Sequence, residues 1–226
     1  NMLIGFFLGI STGAGVVIAQ FFGAGNTCKM KRAIHNSIAL TLVMGVVLTI
    51  VGLLFNDPIL KAIGVPSEVF SEASTYLSIY FWSLIFVMVY NMGSGILRSV
   101  GDSKRPLYFL IFSSVVNIIL DFLFVKYFHF GVAGAGYATL IAQAISAIMV
   151  MYVLMKTEDD YKVILKEIGF DKEILLKIIK IGLPTGFQQS IVSLSNVIVQ
   201  SYINVYGASV IAGYSVTIKI DGFVNL

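Results

Sequence analysis

One carboxylate, that of Asp121, lies in a run that is otherwise apolar or uncharged. The run Leu107–Val125 contains no other charged residue. An aspartate at the centre of a membrane helix costs about 2.5–3.5 kcal/mol on insertion scales, so such residues are rare and commonly functional. Ser113, Asn117 and Asp121 follow one another at intervals of four, which places them on one face of a helix. The spacing predicts that this face avoids lipid.

Two kinds of chemistry are open to Asp121. Burial without a partner favours the protonated form of a carboxyl group. Oxygen atoms from Asn117 and from Thr139, a hydroxyl in the next apolar block, would instead let Asp121 hold a hard cation such as sodium. Both possibilities describe a site that couples ion movement to another event. A packing role, with the carboxyl group hydrogen-bonded to its neighbours, is the alternative.

The elements that would position these residues are helices long enough to cross a bilayer. Hydrophobic residues make up 58% of the 226 residues and charged residues 12%, against about 45–50% and about 25% in soluble domains. The apolar residues form seven blocks, each close to the ~20 residues that a membrane helix needs. The blocks are Met2–Phe22, Ile34–Phe55, Ala73–Leu97, Leu107–Phe128, Val132–Met155, Ile181–Tyr206 and Ala208–Leu226. This pattern predicts an all-α, polytopic transmembrane bundle.

Basic residues alternate between the connections of this bundle. The connections after the first, third and fifth blocks carry twelve lysines and arginines, whereas those after the second and fourth carry only Lys61 and Lys126. By the positive-inside rule, the basic connections are cytoplasmic. The longest of them, 156–180, marks a boundary between the helices over 1–155 and those over 181–226. Its lysines suit a cytoplasmic amphipathic helix on the inner membrane face, and an ordinary helical linker is the alternative.

Other features of the blocks give more specific expectations. Gly5, Gly9 and Gly13 lie four apart, which favours close helix–helix packing. The segment 56–72 has turn chemistry and is expected to form a loop. Asp171 is expected to cap a helix. His35 and His129, at the edges of blocks, are expected to be interfacial residues rather than ligands.

Polar side chains recur at helical spacing in four blocks. A single row of polar side chains along one helix, which we call a stripe, would be explained by hydrogen bonds between helices. Four stripes favour a water-accessible cavity, because polar groups are tolerated at membrane depth where they line such a cavity. Residues expected to line a substrate cavity are Tyr76, Tyr80, Gln189, Ser193 and Asn196; further members of the stripes are Ser83, Tyr90, Asn91, Gln143, Ser146, Gln200 and Asn204.

Four segments together resemble the multidrug and toxic compound extrusion (MATE) family: GAGVVIAQFFGAGN, GILRSVGDSKRP, VVNIILDFLF followed by GVAGAGYAT, and KIIKIGLPTGFQQS. The resemblance implies two six-helix lobes around a central cleft, of which this chain would carry about helices two to eight, without the first helix. On that pattern 1–155 would hold first-lobe helices, 156–180 the lobe linker, and 181–226 the start of the second lobe. It also implies that Asn117, Asp121 and Thr139 form a sodium or proton site. Some family members have a glutamate in the seventh helix, whereas Gln188–Asn204 contains no acid.

The resemblance implies a Na⁺- or H⁺-coupled antiporter that exports amphipathic organic compounds by alternating access. A lipid-linked oligosaccharide flippase of the same superfamily is the alternative, but the neutral stripes lack the basic cavity that a pyrophosphate would require. No enzyme is expected, because an intramembrane aspartyl protease would need two facing aspartates. We expect small organic substrates, the lipid bilayer as surroundings, no cofactor beyond the coupling ion, no nucleic-acid partner and a monomer. The expected location is a bacterial or archaeal plasma membrane.

Overall fold

All regular structure in residues 2–204, the part of the chain that the computed structural model describes, is helical. The α-helices are α1 (Met2–Gly23), α2 (Thr27–Leu54), α3 (Asn56–Ile63), α4 (Ser67–Ser99), α5 (Lys104–Phe122), α6 (Gly131–Lys156) and α7 (Lys172–Asn204). A π-helical turn, Leu123–Tyr127, continues α5, and a 3₁₀ turn, Leu165–Glu167, precedes α7. The predicted all-α class is confirmed. The last predicted block, Ala208–Leu226, lies outside the described residues.

Five of these helices are long and apolar enough to cross a membrane. They are α1 from Gly5 onward, α2, α4, α5 together with its π-helical turn, and α6. Their positions match the first five predicted blocks to within a few residues, except that α2 and α4 begin earlier. The sequence-based prediction of a polytopic membrane protein is therefore confirmed for this part of the chain.

Side-chain caps set several of the helix boundaries. Asn26 Oδ1 accepts a hydrogen bond of 3.1 Å from the Lys29 amide at the start of α2. Asp171 Oδ1 accepts bonds from the amides of Glu173 and Ile174, at 3.0 and 3.2 Å, at the start of α7. These bonds satisfy amides that have no partner inside the helix. The predicted cap at Asp171 is confirmed.

The predicted loop over 56–72 instead contains the short helix α3. Asp57 in its first turn suits the positive end of the helix dipole. Gly64 ends the helix with φ of 76°, a left-handed conformation that glycine adopts readily. Asn56 Nδ2 donates to the Ser74 carbonyl at 2.9 Å and so ties α3 to α4. The prediction of a loop up to residue 72 was wrong, because it gave weight to the turn residues and none to this short capped helix. The helix start that Pro66 and Ser67 indicate in the sequence is confirmed, since α4 begins at Ser67.

Helix α4 occupies the centre of the bundle, where it packs against α1, α2 and α6. Its side chains Met92 and Ile96 are almost fully buried, as is Val150 on α6. Helix α5, by contrast, packs mainly against α6 and leaves most of its large apolar side chains exposed. In a membrane protein such a face is suited to contact with lipid.

Glycines bring α1 and α7 into backbone contact along a line that we call the glycine seam (Gly9, Gly13, Gly182 and Gly186). A Cβ atom added at Gly13 would lie 2.5 Å from Gly182 Cα, and one added at Gly9 would clash with the backbone of Gly186. Only glycine leaves room for backbones this close. The packing role predicted for the α1 glycines is confirmed for Gly9 and Gly13.

The connection between α6 and α7 differs from its predicted form. Residues 157–171, which we call the linker segment, are irregular apart from the 3₁₀ turn. Lys172–Lys180 forms the first turns of α7, which continues without interruption past Pro184 to Asn204. The predicted amphipathic helix over this stretch is thus the start of a longer helix rather than a separate surface element. The division into lobes at 156–180 remains a prediction.

Ion pairs hold two of the basic connections together. Lys31 Nζ lies 3.3 Å from Asp160 Oδ1, and an Arg32 guanidinium nitrogen lies 3.6 Å from Asp171 Oδ2. The start of α2 and the linker segment therefore lie at the same end of the bundle. This grouping is what the alternation of lysines and arginines requires.

The topology predicts which loops can be labelled from outside the cell. With Cys28 replaced by serine in the full-length protein, a membrane-impermeant thiol reagent should label Lys61→Cys and Lys126→Cys in intact cells. The matched variant Lys162→Cys, also exposed, should react only after the membrane is permeabilised. Labelling of Lys162→Cys in intact cells would contradict the orientation.

Candidate cation site in α5

Asn117 and Asp121 lie one turn apart near the end of α5, and both have a buried polar atom without a hydrogen-bond partner. Within the described residues, no donor or acceptor meets Asn117 Nδ2, and none meets Asp121 Oδ1. Burying a polar group without a partner costs about 1–3 kcal/mol, and a charged group costs more. Two such atoms on one helix face make this stretch of α5 a candidate site for a bound group.

The hydroxyl groups of the predicted stripes behave differently, because they bond within their own helices. Ser113 Oγ donates to the Leu110 carbonyl at 3.1 Å, and Thr139 Oγ1 donates to the Ala135 carbonyl at 3.0 Å. Hydroxyls of this kind commonly satisfy themselves on a preceding carbonyl. The stripe therefore leaves its amide and carboxyl groups, rather than its hydroxyls, in need of an external partner.

The oxygen atoms that these side chains offer suit a small hard cation or a proton. Asp121 offers carboxylate oxygens, and rotation of the Asn117 amide by half a turn would put its oxygen where Nδ2 now lies. Thr139 lies on α6, which packs against α5. Its hydroxyl donates its hydrogen to Ala135 but keeps oxygen lone pairs with which it can coordinate. Oxygen ligands of these types are preferred by hard cations.

The backbone changes form two residues after Asp121. The π-helical turn Leu123–Tyr127 follows, and the Phe128 amide donates to the Leu123 carbonyl at 3.0 Å, five residues back. Lys126, in this turn, places its ammonium 4.6 Å from the centre of the Phe122 ring. No lysine or arginine forms an ion pair with Asp121 among the residues that the structure describes.

The residues predicted to line a substrate cavity lie on two helices. Tyr76 and Tyr80 belong to α4, while Gln189, Ser193 and Asn196 belong to α7. Helix α1 packs against both α4 and α7, whereas α4 and α7 are not major packing partners. Ser193 approaches α1, since a Cβ added at Gly5 would lie 3.3 Å from its hydroxyl. Tyr76, Gln189 and Asn196 are exposed, so the described residues do not bring the five side chains together around one pocket.

His35 is not the interfacial residue that its position at a block edge predicted. Only 3% of the residue is exposed, and both ring nitrogens bond to backbone groups. The prediction was wrong because the linker segment, far away in the sequence, covers this histidine. His129, by contrast, is exposed in the connection that follows the π-helical turn, and its φ is 55°.

Outside the membrane-spanning helices, two exposed carboxylates have hydrogen bonds that stabilise their charged forms. The Thr157 hydroxyl donates to Asp159 at 2.8 Å and lowers the pKa of that carboxyl group. Lys177 donates to Glu173 at 2.9 Å and, through this bond and its charge, lowers the pKa of Glu173. Both groups remain ionised at neutral pH and keep this end of the bundle charged.

Taken together, the apolar helices and the carboxyl group of Asp121, one oxygen of which is buried, define a polytopic α-helical membrane protein with a candidate ion site. The MatE family model matches residues 1–123, more than half of the chain. The chain therefore belongs to the multidrug and toxic compound extrusion family.

Curated proteins and solved structures agree with this assignment. The "Probable multidrug resistance protein YoeA" of Bacillus subtilis is 33% identical over 100% of this chain and 50% of its own length. Two solved structures, described as an outward-facing and an inward-facing conformation of a multidrug resistance MATE family transporter of the MOP superfamily, also match. The outward-facing one has a TM-score of 0.86 at 27% identity, over 98% of this chain and 50% of its own. The inward-facing one has a TM-score of 0.78 at 30% identity, over 84% and 44%. The chain thus spans about half the length of these relatives.

Proposed function

We propose that the protein exports amphipathic organic compounds across the plasma membrane in exchange for Na⁺ or H⁺. The similarity to proteins named for multidrug resistance supports export of such compounds. The pair of buried, unpartnered polar atoms on Asn117 and Asp121 carries the proposal of ion coupling. We further propose that α1–α6 belong to one lobe, that α7 begins the next, and that the protein acts as a monomer.

In this mechanism, Asp121 exchanges one coupling ion for substrate. When the site opens outward, the carboxylate binds a proton or a sodium ion, and Asn117 and Thr139 supply further oxygen atoms. Neutralisation of the buried charge lowers the cost of the closed, desolvated state. Because the ion and the substrate must each prefer one of two states, binding of one shifts the population away from the other. The tyrosines of α4 and the polar side chains of α7 would contact the substrate.

Transport by the full-length protein in proteoliposomes tests the proposal. We expect efflux of a fluorescent amphipathic cation under a sodium gradient alone or under a proton gradient alone, and dissipation of the active gradient should stop it. Vesicles without protein and vesicles with an ionophore for the tested ion are the controls. Equal movement of the dye with and without each gradient would refute ion coupling and leave the family assignment intact.

A further inference from the structure

His35 lies where α2 meets the linker segment, and its two nitrogens have defined roles. Nδ1 lies 2.7 Å from the Lys31 carbonyl oxygen, which can only accept, so Nδ1 carries the hydrogen. Nε2 lies 2.9 Å from the backbone nitrogen of Ile164, which can only donate, so Nε2 carries a lone pair. These two bonds require the neutral imidazole.

The rest of the linker segment is fixed to the bundle on both sides of this bond. The Val163 amide donates to the Leu154 carbonyl of α6 at 2.8 Å, and the Val163 side chain is buried. Farther along, Asn36 Nδ2 donates to the Asp171 carbonyl at 2.7 Å. Since Asp171 also caps α7, the same contacts position the first turn of that helix.

A proton on Nε2 would abolish the hydrogen bond that Nε2 accepts from the Ile164 amide. The charged ring would present an N–H to the Ile164 N–H, and a bond that positions the linker segment would be lost. The side chain of Glu167, 57% exposed, already places Oε2 4.0 Å from Nε2, so it can accept from the charged ring after a small movement. The linker segment therefore contains one partner for each charge state of His35.

The basic groups beside this ring are paired with carboxylates. The groove beside His35, of about 410 Å³, is lined also by Cys28, Lys31, Arg32, Glu167 and Asp171, together with Gly169 and Phe170. Lys31 pairs with Asp160 and Arg32 pairs with Asp171, so each of these bases has an acidic partner. Glu167 forms no ion pair with a lysine or arginine among the described residues.

We propose that His35 is a proton-operated clamp on the linker segment. Neutral His35 accepts from the Ile164 amide and holds residues 160–168 against α2. Protonated His35 donates to Glu167 and releases that amide, which loosens the connection leading into α7. The clamp is therefore closed at higher pH and opens as the pH falls. It is separate from Asp121 and does not depend on the proposed export activity.

Hydrogen exchange of the full-length protein, followed by mass spectrometry between about pH 5 and about pH 8, tests the clamp, because histidine changes charge in this range. After correction for the intrinsic pH dependence of exchange, peptides that cover residues 160–168 should exchange at least about fivefold faster at the acidic end, as expected for loss of one hydrogen bond. Peptides from the core of α4 should show no such change. Equal protection of 160–168 at both ends of the range would overturn the proposal.

Variants distinguish the clamp from a general loosening of the structure at acidic pH. His35→Gln supplies an amide oxygen that can accept from Ile164 and cannot titrate, so protection should persist across the range. His35→Ala should lack protection at every pH. The control His129→Gln, at the other histidine of the chain, should keep the wild-type response. A wild-type pH response in His35→Gln would overturn the assignment.

Glu167→Gln provides a test that does not alter a buried residue. Loss of the carboxylate removes the group that accepts from the charged ring, so the acid-dependent loss of protection over 160–168 should become smaller. An unchanged pH response of protection in this variant would contradict the exchange of partners, even if a variant at His35 failed to fold.

Discussion

Replacement of Asp121 by asparagine is expected to reduce ion-driven export to the background level while the full-length protein still inserts and folds. Asparagine has nearly the same shape but cannot bind a proton or carry a charge, so the site would remain in a state that resembles permanent protonation. Coupling free energies between sites are typically 1–3 kcal/mol, so we expect gradient-driven efflux to fall by at least about fivefold. Efflux from vesicles with matched protein content is the measurement.

The controls for this experiment come from the same chain. Asp57→Asn makes the same chemical change at an exposed carboxylate, whose bond from the Ser74 hydroxyl an amide oxygen can keep, so efflux should be unaffected. Asp121→Glu keeps the charge on a longer side chain and should retain partial activity. If Asp121→Asn transports at the wild-type rate, Asp121 has only a packing role and the assignment of the cation site is wrong.

The transmembrane helices could be predicted from sequence because their cause is local. A run of about 20 apolar residues must form helix in a bilayer, where no water satisfies backbone groups. The stripe that ends at Asp121 was also visible, since helical spacing fixes which residues share a face. The sequence did not show that the hydroxyls of this stripe are hydrogen-bonded while its amide and carboxyl groups are not, because that depends on which acceptors lie within reach in the folded chain.

The partners of His35 show where local patterns stop being informative. The bond from the Ile164 amide joins residues 129 positions apart, and the bond from Asn36 to Asp171 spans 135. Nothing near His35 in the sequence indicates that a distant segment covers it. The π-helical turn after Asp121 was missed for a related reason, because the apolar residues of that stretch fit an ordinary helix equally well. Long-range packing, rather than propensity, decided both features.

Replacement of Gly13 by alanine is expected to destabilise the full-length protein, although alanine favours helix. The added Cβ would lie 2.5 Å from Gly182 Cα and 3.1 Å from the Ile178 carbonyl oxygen. These are backbone atoms of α7 and cannot turn aside as a side chain would. Overpacking of this kind costs about 1–3 kcal/mol, which exceeds the gain of about 1 kcal/mol from replacing glycine by alanine in a helix. The thermal unfolding midpoint in detergent should therefore fall, and Gly13→Val should lower it further.

Gly23→Ala is the matched control, because Gly23 ends the same helix and a Cβ added there would meet no atom within 4 Å. This variant should unfold at or slightly above the wild-type temperature. The contrast tests the glycine seam, because both variants make the same chemical change on α1, whereas only the Cβ added at Gly13 would meet backbone atoms of α7. If α1 and α7 belong to different lobes, as we propose, the added Cβ at Gly13 also holds the lobes apart along this line, and export should fall together with stability. Equal midpoints for the two variants would show that α1 and α7 do not approach as closely as the seam requires.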